Sequence, residues 1–305
     1  IEAQVDSDAK WAESQQYPEP STALDYIYSE GNSFEDQGYK TISDKIVLVD
    51  AINHALHEEM SLNDKMVIYG QDIADPKGGV FTATRGLSEK FGNNRVFNSP
   101  LAESSIVGTA IGMSVAGYKP VVEIQFGDYI WTAMMQIRNE LATMRYRSNN
   151  AWSCPTVIRV PVGGYIHGAL CHSQSIDGYF MHLPGIYIAY PSCAADAKGL
   201  LKMACRMNDP VIFMEHKGLY RQNYAATQEP DGEYILPFGK GRIVSDGDEL
   251  TLITWGAMVQ KSLDAIRSLA LSDGLIEVID LRTLNPVDLH LIKTSIIKTN
   301  KVLIE

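Results

Sequence analysis

Two histidines in a glycine-rich loop are the side chains of this sequence best suited to move protons. Residues 161–175 read PVGGYIHGALCHSQS and contain His167 and His172 together with three hydroxyl groups. Histidine changes charge near neutral pH, so either ring can act as a general acid or base. A purely structural loop seldom carries so many polar groups, because unpaired ones are costly to bury. We therefore predict a site here, with His172 as its acid–base group and Cys171 as a weaker candidate.

A carboxylate at a strand-to-helix junction is the second candidate. Glu103 follows the turn NSPL (98–101) and begins a helix of small residues. Two interpretations stay open: the carboxylate interacts with the positive end of the helix dipole, or it is an acid–base group at the carboxyl end of a strand, where open α/β sheets bind ligands. Asp128 and Tyr129 follow another apolar run, so we expect three loops to converge.

The sequence gives only weak signals for nucleotide binding or metal binding. The sequence has no GxxxxGK[ST] and no GxGxxG after a predicted strand. Gly108, Gly112 and Gly117 have the spacing of a helix that packs closely on a neighbour. His54 and His57 lack the HExxH context, and we interpret them as part of a solvated helical face.

A parallel sheet with helices on both faces must position these candidates. Short β-branched runs alternate with helical patterns, with Gly and Pro at the joins. The predicted strands are 66–69, 95–97, 121–124, 156–160, 186–190, 211–214, 250–255, 276–279 and 302–304. The predicted helices are 43–60, 87–91, 104–116, 129–147, 194–207, 259–271 and one after Pro286. The fold class is thus α/β: a doubly wound parallel sheet followed by a second α/β domain.

The predicted organisation has four parts. Residues 1–43 form an acidic, proline-broken tail and linker, 44–215 the first domain, 216–238 a linker, and 239–305 the second domain. A length of 305 residues agrees with about two domains. Because the chain stops inside an apolar run, we expect the second domain to be incomplete.

Composition excludes several classes of protein. The chain is 45% hydrophobic and 21% charged, as globular proteins are, with a formal net charge of -11 that repels nucleic acid on average. Its apolar runs are far shorter than the ~20 residues of a membrane span. The four cysteines show no CxxC spacing, which favours free thiols. We expect a cytoplasmic location, with the mitochondrial matrix as the alternative.

The order of the loop motifs resembles a known family. The sequence contains, in order, NSPLAE (98–103), EIQFGDYI (123–130), HGALCHSQS (167–175), AKGLL (197–201) and DLRTL (280–284). These motifs resemble the β subunit of the decarboxylating component of 2-oxo-acid dehydrogenase complexes, branched-chain type. The resemblance covers residues 44–305. Residues 1–28 resemble the end of the matching α subunit, which predicts a fused α–β chain.

The resemblance implies a thiamine-diphosphate enzyme in which a pyrimidine-binding domain precedes a transketolase-like C-terminal domain. Glu103 matches the family glutamate that hydrogen-bonds the aminopyrimidine and promotes loss of the thiazolium C2 proton. Gln125 and Tyr129 match positions beside the pyrimidine ring, and His172 matches the histidine of acyl transfer to lipoamide. The implied reaction is oxidative decarboxylation of a 2-oxo acid such as 3-methyl-2-oxobutanoate, in which the cofactor carries the hard chemistry.

The resemblance also implies ions and partners. Mg²⁺ is expected on a Gly-Asp-Gly…Asn motif of the α half, which has no counterpart here. A K⁺ site is implied at backbone groups of Cys154, Thr156, Ala204, Met207 and Asp209. The expected partners are the α half, a second copy in a two-fold assembly and the lipoyl-bearing acyltransferase, with no nucleic acid and no membrane.

The chain departs from the family's usual residues beside the predicted site. An aspartate is common where Met135 stands, and Pro-Glu is common where Ile176-Asp177 stands. Both departures bear on helix packing and substrate preference rather than on the reaction itself.

Other functions stay open at this point. A pyruvate or acetoin dehydrogenase β subunit is the alternative within the class. A non-catalytic docking subunit is the alternative from another class, and it would need neither Glu103 nor His172. The missing glycine fingerprint disfavours a nicotinamide-dependent dehydrogenase.

Overall fold

The computed structural model of the chain describes residues 1–31, 38–269 and 274–305. The helices in these ranges are α1 (Glu2–Glu13), α2 (Leu48–Leu62), α3 (Leu87–Phe91), α4 (Glu103–Val115), α5 (Met144–Arg147), α6 (Asp177–Phe180), α7 (Ala194–Arg206), α8 (Ala257–Ser268) and α9 (Leu289–Thr299). The strands are β1 (Thr41–Ile46), β2 (Met66–Gly70), β3 (Val96–Asn98), β4 (Lys119–Glu123), β5 (Val157–Val162), β6 (Tyr187–Ala189), β7 (Val211–His216), β8 (Thr227–Pro230), β9 (Arg242–Ser245), β10 (Gly247–Thr254), β11 (Gly274–Asp280), β12 (Thr283–Asn285) and β13 (Val302–Ile304). No helix among these residues is long and apolar enough to cross a membrane.

The larger sheet has the strand order β12-β6-β7-β5-β4-β2-β3, and its neighbours are parallel except at the β12–β6 pair. Successive residues of a strand point to opposite faces. Accordingly, Val121 of β4 joins one core with α2 and α7, and Val122 joins the other core with α4. Helices therefore cover both faces, which confirms the predicted doubly wound sheet.

A second sheet has the order β13-β10-β11-β9, in which only β9 is antiparallel to its neighbour. Strand β12, which follows β11 in the chain, pairs with β6 of the larger sheet. The two sheets therefore share a hydrophobic core that includes Ile279 and Leu284. The indole Nε1 of Trp255 also donates a hydrogen bond to Asp177 Oδ2 at 2.9 Å. One of the departures from the family pattern, Asp177, thus joins the second sheet to α6.

The first predicted helix, 43–60, is wrong at its N-terminal end. Ser43 belongs to β1, and α2 begins only at Leu48. Strand β1 pairs antiparallel with β8, with Thr41 opposite Pro230. The partner strand lies far away in sequence, and it comes from the segment predicted to be a linker. Local pattern does not reveal such a pairing, because strand propensity depends on the neighbouring strand.

The predicted long helix 129–147 is also wrong. The backbone instead forms a 3₁₀ helix at Gly127–Ala133, a π-helical turn at Gln136–Leu141 and the short helix α5. Buried Ile130, Ala133 and Ile137 follow a helical spacing, which is why the pattern resembles a single helix. Changes of helix type within one segment are frequent at functional sites.

Candidate active site

The predicted site residues lie at one edge of the larger sheet. Gln71 directly follows β2, Gln125 lies two residues beyond β4, and the loop 163–175 follows β5. Helix α4, which begins with Glu103, follows β3. Because β3, β2, β4 and β5 are parallel neighbours, their carboxyl ends meet at the same edge, where open α/β sheets bind ligands.

Glu103 directs its carboxylate toward neighbouring loops. Oε1 accepts a hydrogen bond from Gln71 Nε2 at 3.0 Å, and Oε2 accepts one from Thr132 Oγ1 at 3.0 Å. The residue is half-buried, so the carboxylate is also open to a ligand. The Gln71 Oε1 atom is buried with no partner among the described residues, and it can accept from an N–H group. This pair of acceptors fits an aminopyrimidine.

Gln125 lies beside the same glutamine. Its Nε2 donates to Asp72 Oδ2 at 2.9 Å and approaches the Gln71 carbonyl oxygen at 3.4 Å. Lys77 Nζ donates to the same Asp72 oxygen at 2.7 Å, and this bond holds the pKa of Asp72 below its usual range. An ionised Asp72 thus fixes the Gln125 amide at the edge of the sheet.

Tyr129 and His172 form a hydrogen-bonded pair. The Tyr129 hydroxyl lies 2.7 Å from His172 Nε2, and His172 Nδ1 lies 3.2 Å from the Gly168 carbonyl oxygen. A carbonyl can only accept, so we assign the proton to Nδ1 and infer that Nε2 accepts from the phenol. The Phe126 ring contacts the imidazole edge-on, with 4.5 Å between centroids. The two contacts and the Phe126 ring fix the orientation of the imidazole, with Nε2 next to the Tyr129 hydroxyl.

Thr132 joins the two halves of the site. Its Oγ1 lies 3.0 Å from Glu103 Oε2 and 3.1 Å from the Tyr129 carbonyl oxygen. Contacts therefore run from His172 and Tyr129 through Thr132 to Glu103, and from there through Gln71 to Gln125. The structure brings all four of the predicted side chains together.

Asp128 and a glycine shape the histidine loop. The Asp128 carboxylate accepts from the backbone N–H groups of Ser173 and Gln174 at 3.2 and 3.4 Å. Gly163 has a φ of +77°, and a Cβ there would lie 2.2 Å from His216 Nε2. Packing thus accounts for this glycine of the loop. Cys171, the weaker candidate of this loop, is an exposed free thiol.

Several residues of the site escaped the sequence analysis. Gln71 and Asp72 come directly after β2, and that position at a strand end is the only signal they offered. Thr132 carries no signal of its own. Lys217 is 2% exposed, its Nζ lies 5.5 Å from the centroid of Phe126, and no described residue hydrogen-bonds it. Burial lowers the pKa of Lys217 to about 8.

A buried ion cluster crosses the strands beneath the site. Arg159 of β5 donates through Nη1 to Glu123 Oε2 at 2.7 Å, and through Nε and Nη2 to the two oxygens of Glu215 at 2.8 Å each. The Tyr220 hydroxyl donates to Glu215 Oε2 at 2.6 Å. Burial raises the pKa of Glu123, and the neighbouring guanidinium opposes this rise. The cluster links β4, β5 and β7.

The groups predicted to bind K⁺ lie at the opposite edge of the sheet, where α7 ends and β4 begins. The carbonyl oxygens of Ala204 and Met207 accept hydrogen bonds there from Lys119 Nζ. An ammonium group already on two of the expected ligands does not fit a bound K⁺ ion. In residues 1–31, 38–269 and 274–305, no three His, Cys, Asp or Glu side chains are grouped to hold a metal.

Two family descriptions and several relatives match the chain. Residues 44–223 match "Transketolase, pyrimidine binding domain" and residues 239–304 match "Transketolase, C-terminal domain". The chain is 48% identical over 257 residues to 2-oxoisovalerate dehydrogenase subunit beta of Bacillus subtilis, covering 84% of this chain and 77% of the relative. It is 41% identical over 261 residues to pyruvate dehydrogenase E1 component subunit beta of the same organism, covering 85% and 79%.

A eukaryotic relative and a solved structure extend the comparison. Mitochondrial 2-oxoisovalerate dehydrogenase subunit beta of Dictyostelium discoideum is 43% identical over 287 residues, covering 93% of this chain and 75% of the relative. A split gene transketolase, described as an inactive beta4 tetramer, has a TM-score of 0.65 at 24% identity and covers 85% and 78%, which supports the fold. The fused α–β arrangement stays a prediction. The chain belongs to the transketolase-like β subunits of 2-oxo-acid dehydrogenases.

Proposed function

We propose that this chain is the β half of a thiamine-diphosphate-dependent dehydrogenase that decarboxylates a branched-chain 2-oxo acid and transfers the acyl group to a lipoyl-bearing protein. The observation that carries the proposal is the run of contacts from Gln125 through Glu103 and Tyr129 to His172 at one sheet edge. A docking subunit has no need of an acid–base carboxylate and a hydrogen-bonded imidazole in one place.

Glu103 is the group proposed to hold the pyrimidine ring of the cofactor. When bound, thiamine diphosphate supplies the carbon nucleophile and the electron sink for decarboxylation. The Glu103 carboxylate would accept a hydrogen bond from a ring nitrogen and favour its protonated form. The buried Gln71 Oε1 would accept from the exocyclic amino group. Gln71 and Thr132 keep the carboxylate in this orientation.

His172 is the group proposed to move a proton during acyl transfer. Its ring presents Nε2 to the Tyr129 hydroxyl, so Nε2 is the nitrogen that would take up or release the proton. The Gly168 carbonyl holds Nδ1–H and fixes the tautomer. The Phe126 ring packs against the imidazole, with 4.5 Å between the ring centroids, and helps to hold its orientation. A positioned general acid–base group of this kind contributes about 10²–10⁴-fold in rate.

The proposal includes an α half that holds Mg²⁺ and completes the cofactor site, and a second copy of this chain. Large apolar side chains near the site are exposed in the single chain: Leu101 at 81%, Met135 at 63% and Leu170 at 78%. Apolar groups in such positions are typical of surfaces that a partner covers. The relatives named above are themselves called β subunits, which supports a multi-chain enzyme.

Competition between two substrates tests the substrate class. The full-length protein, assembled with its α half, is given 3-methyl-2-oxobutanoate and pyruvate in one vessel. We expect kcat/KM to favour the branched acid by at least about tenfold, because each methylene that a pocket contacts contributes about 1–3 kcal/mol. A preference for pyruvate would support the alternative that the pyruvate relative suggests.

A further inference from the structure

The end of helix α7 carries a cation that belongs to the chain itself. A helix leaves its last carbonyl groups without intrahelical partners, and these carry the negative end of the helix dipole. Lys119, the first residue of β4, places Nζ 2.8 Å from the Ala204 carbonyl oxygen and 2.9 Å from the Met207 carbonyl oxygen. The lysine is only 5% exposed. Its ammonium group thus donates hydrogen bonds to the C-terminal end of this helix.

Other protein donors contact the carbonyl oxygens of Cys154 and Thr156, which are also expected to bind K⁺. The Thr156 carbonyl accepts from Val211 N–H at 2.9 Å, and the Cys154 carbonyl oxygen lies 2.7 Å from Thr156 N. The Asp209 carboxylate accepts from Arg145 Nε at 2.9 Å and from a backbone N–H at 2.7 Å. The carbonyl oxygens of Cys154, Thr156, Ala204 and Met207 therefore each have a hydrogen-bond donor from the chain, and the Asp209 side chain is held by two others.

The local charge favours a monovalent cation at this place. The carboxylates of Asp209 and Glu59 lie near the Lys119 ammonium and favour a positive charge there. A surface depression of about 570 Å³ next to the helix end is lined by Lys119, Pro155 and Met207 among others.

We propose that the Lys119 ammonium takes the place of a bound monovalent cation at the C-terminal end of α7, so that the wild-type chain needs no K⁺ here. The lysine supplies one positive charge and up to three donors to the carbonyl oxygens that an ion would otherwise coordinate. A tethered ammonium does not dissociate when the K⁺ concentration falls. The proposal concerns the stability of the β fold and does not depend on which 2-oxo acid is the substrate.

Thermal unfolding with different cations tests the proposal. The full-length protein, together with its α half, is compared as wild type, Lys119→Ala, Lys119→Arg and the exposed control Lys65→Ala, in KCl and in tetramethylammonium chloride at equal ionic strength. We expect Lys119→Ala to lower Tm by about 5 °C in tetramethylammonium, because buried carbonyls lose their donor. We expect K⁺ to raise the Tm of Lys119→Ala more than that of the wild type or Lys65→Ala, and Lys119→Arg to stay close to wild type.

Crystals soaked in a thallium(I) salt locate the ion, because Tl⁺ substitutes for K⁺ and scatters anomalously. Wild-type crystals should show no Tl⁺ peak between the Ala204 and Met207 carbonyl oxygens. A peak there in the wild type would overturn the proposal, and this arm needs no variant to fold. An equal gain of Tm from K⁺ in the wild type and in Lys119→Ala would overturn it as well.

Discussion

The substitution Arg159→Met tests whether the buried ion cluster stabilises the sheet beneath the site. Arg159 is fully buried and is the cation for both Glu123 and Glu215, whose side chains are 3% and 0% exposed. Removing one partner of a buried pair costs about 3–5 kcal/mol, since the remaining charge stays desolvated. In this cluster two carboxylates lose the same partner, so we expect the loss of unfolding free energy to lie in the upper part of that range.

Arg147→Met is the matched control. Arg147 pairs with Glu140 at the surface, with side chains 51% and 47% exposed. Exposed pairs contribute about 0–1 kcal/mol. Both variants remove one positive charge and introduce the same residue, so the change in net charge is identical. The free energy of unfolding is measured for each by urea titration at pH 7.5.

The pH dependence provides an independent check. The pKa of Glu123 is already raised by burial, and the loss of Arg159 removes the cation that opposes this rise. A carboxyl with a raised folded-state pKa binds its proton more tightly in the folded state, so stability increases as pH falls. The loss of unfolding free energy in Arg159→Met should therefore become smaller as pH is lowered from about 8 to about 5.5. The loss in Arg147→Met should not change over this range. The reasoning fails if the two variants lose equal stability at pH 7.5, or if the Arg159→Met deficit does not depend on pH.

Three further predictions concern single side chains. Glu103→Gln should leave Tm within about 2 °C of wild type and reduce decarboxylation by at least about 100-fold in the assembled enzyme; a near wild-type rate in a steady-state assay would contradict the assignment. Lys217→Met should be more stable than the wild type below about pH 8, because burial disfavours the charged form of Lys217 in the folded state. This difference in stability should narrow as pH rises toward the unfolded-state pKa of about 10.4, above which the lysine is neutral in both states. This is read from urea titrations of both proteins at several pH values, and a gain that does not vary with pH would refute it. Gly185→Ala should unfold at a clearly lower temperature or fail to fold, because Gly185 has a φ of +89° and the new Cβ would lie 2.0 Å from the Ala142 carbonyl oxygen; circular dichroism melting checks it, with Gly178→Ala as the control, since a Cβ there meets nothing within 4 Å.

Much of the sheet follows from local pattern. Strands β2, β4, β5 and β7 are short, almost entirely buried and mostly apolar, and they lie close to where the sequence predicts them. Fully buried parallel strands give such runs because both of their faces pack against helices. The pattern fails where pairing is remote or where helix type changes, as in β1 with β8 and in the segment 127–147. Neither feature has a periodic signal of its own.

In the candidate site, too, some features follow from the sequence and others only from the tertiary structure. The types and order of Glu103, Gln125, Tyr129 and His172 follow from the sequence, since each lies in a motif next to a recognisable strand end. Their contact through Thr132 and Gln71 does not, because hydrogen bonds between loops depend on the order of the strands in the sheet.

The difference between sequence and structure is largest at the end of α7, where the family resemblance implies backbone ligands for K⁺ and the structure places Lys119. From the sequence alone, a lysine at the start of a strand is expected to be an ordinary surface charge. Whether its ammonium reaches water or a helix end depends on which helix packs over that strand. Residue types and short-range spacing set the elements and the chemistry available, whereas contacts between side chains distant in sequence arise only when the sheet assembles, because only then do the elements that carry them become neighbours.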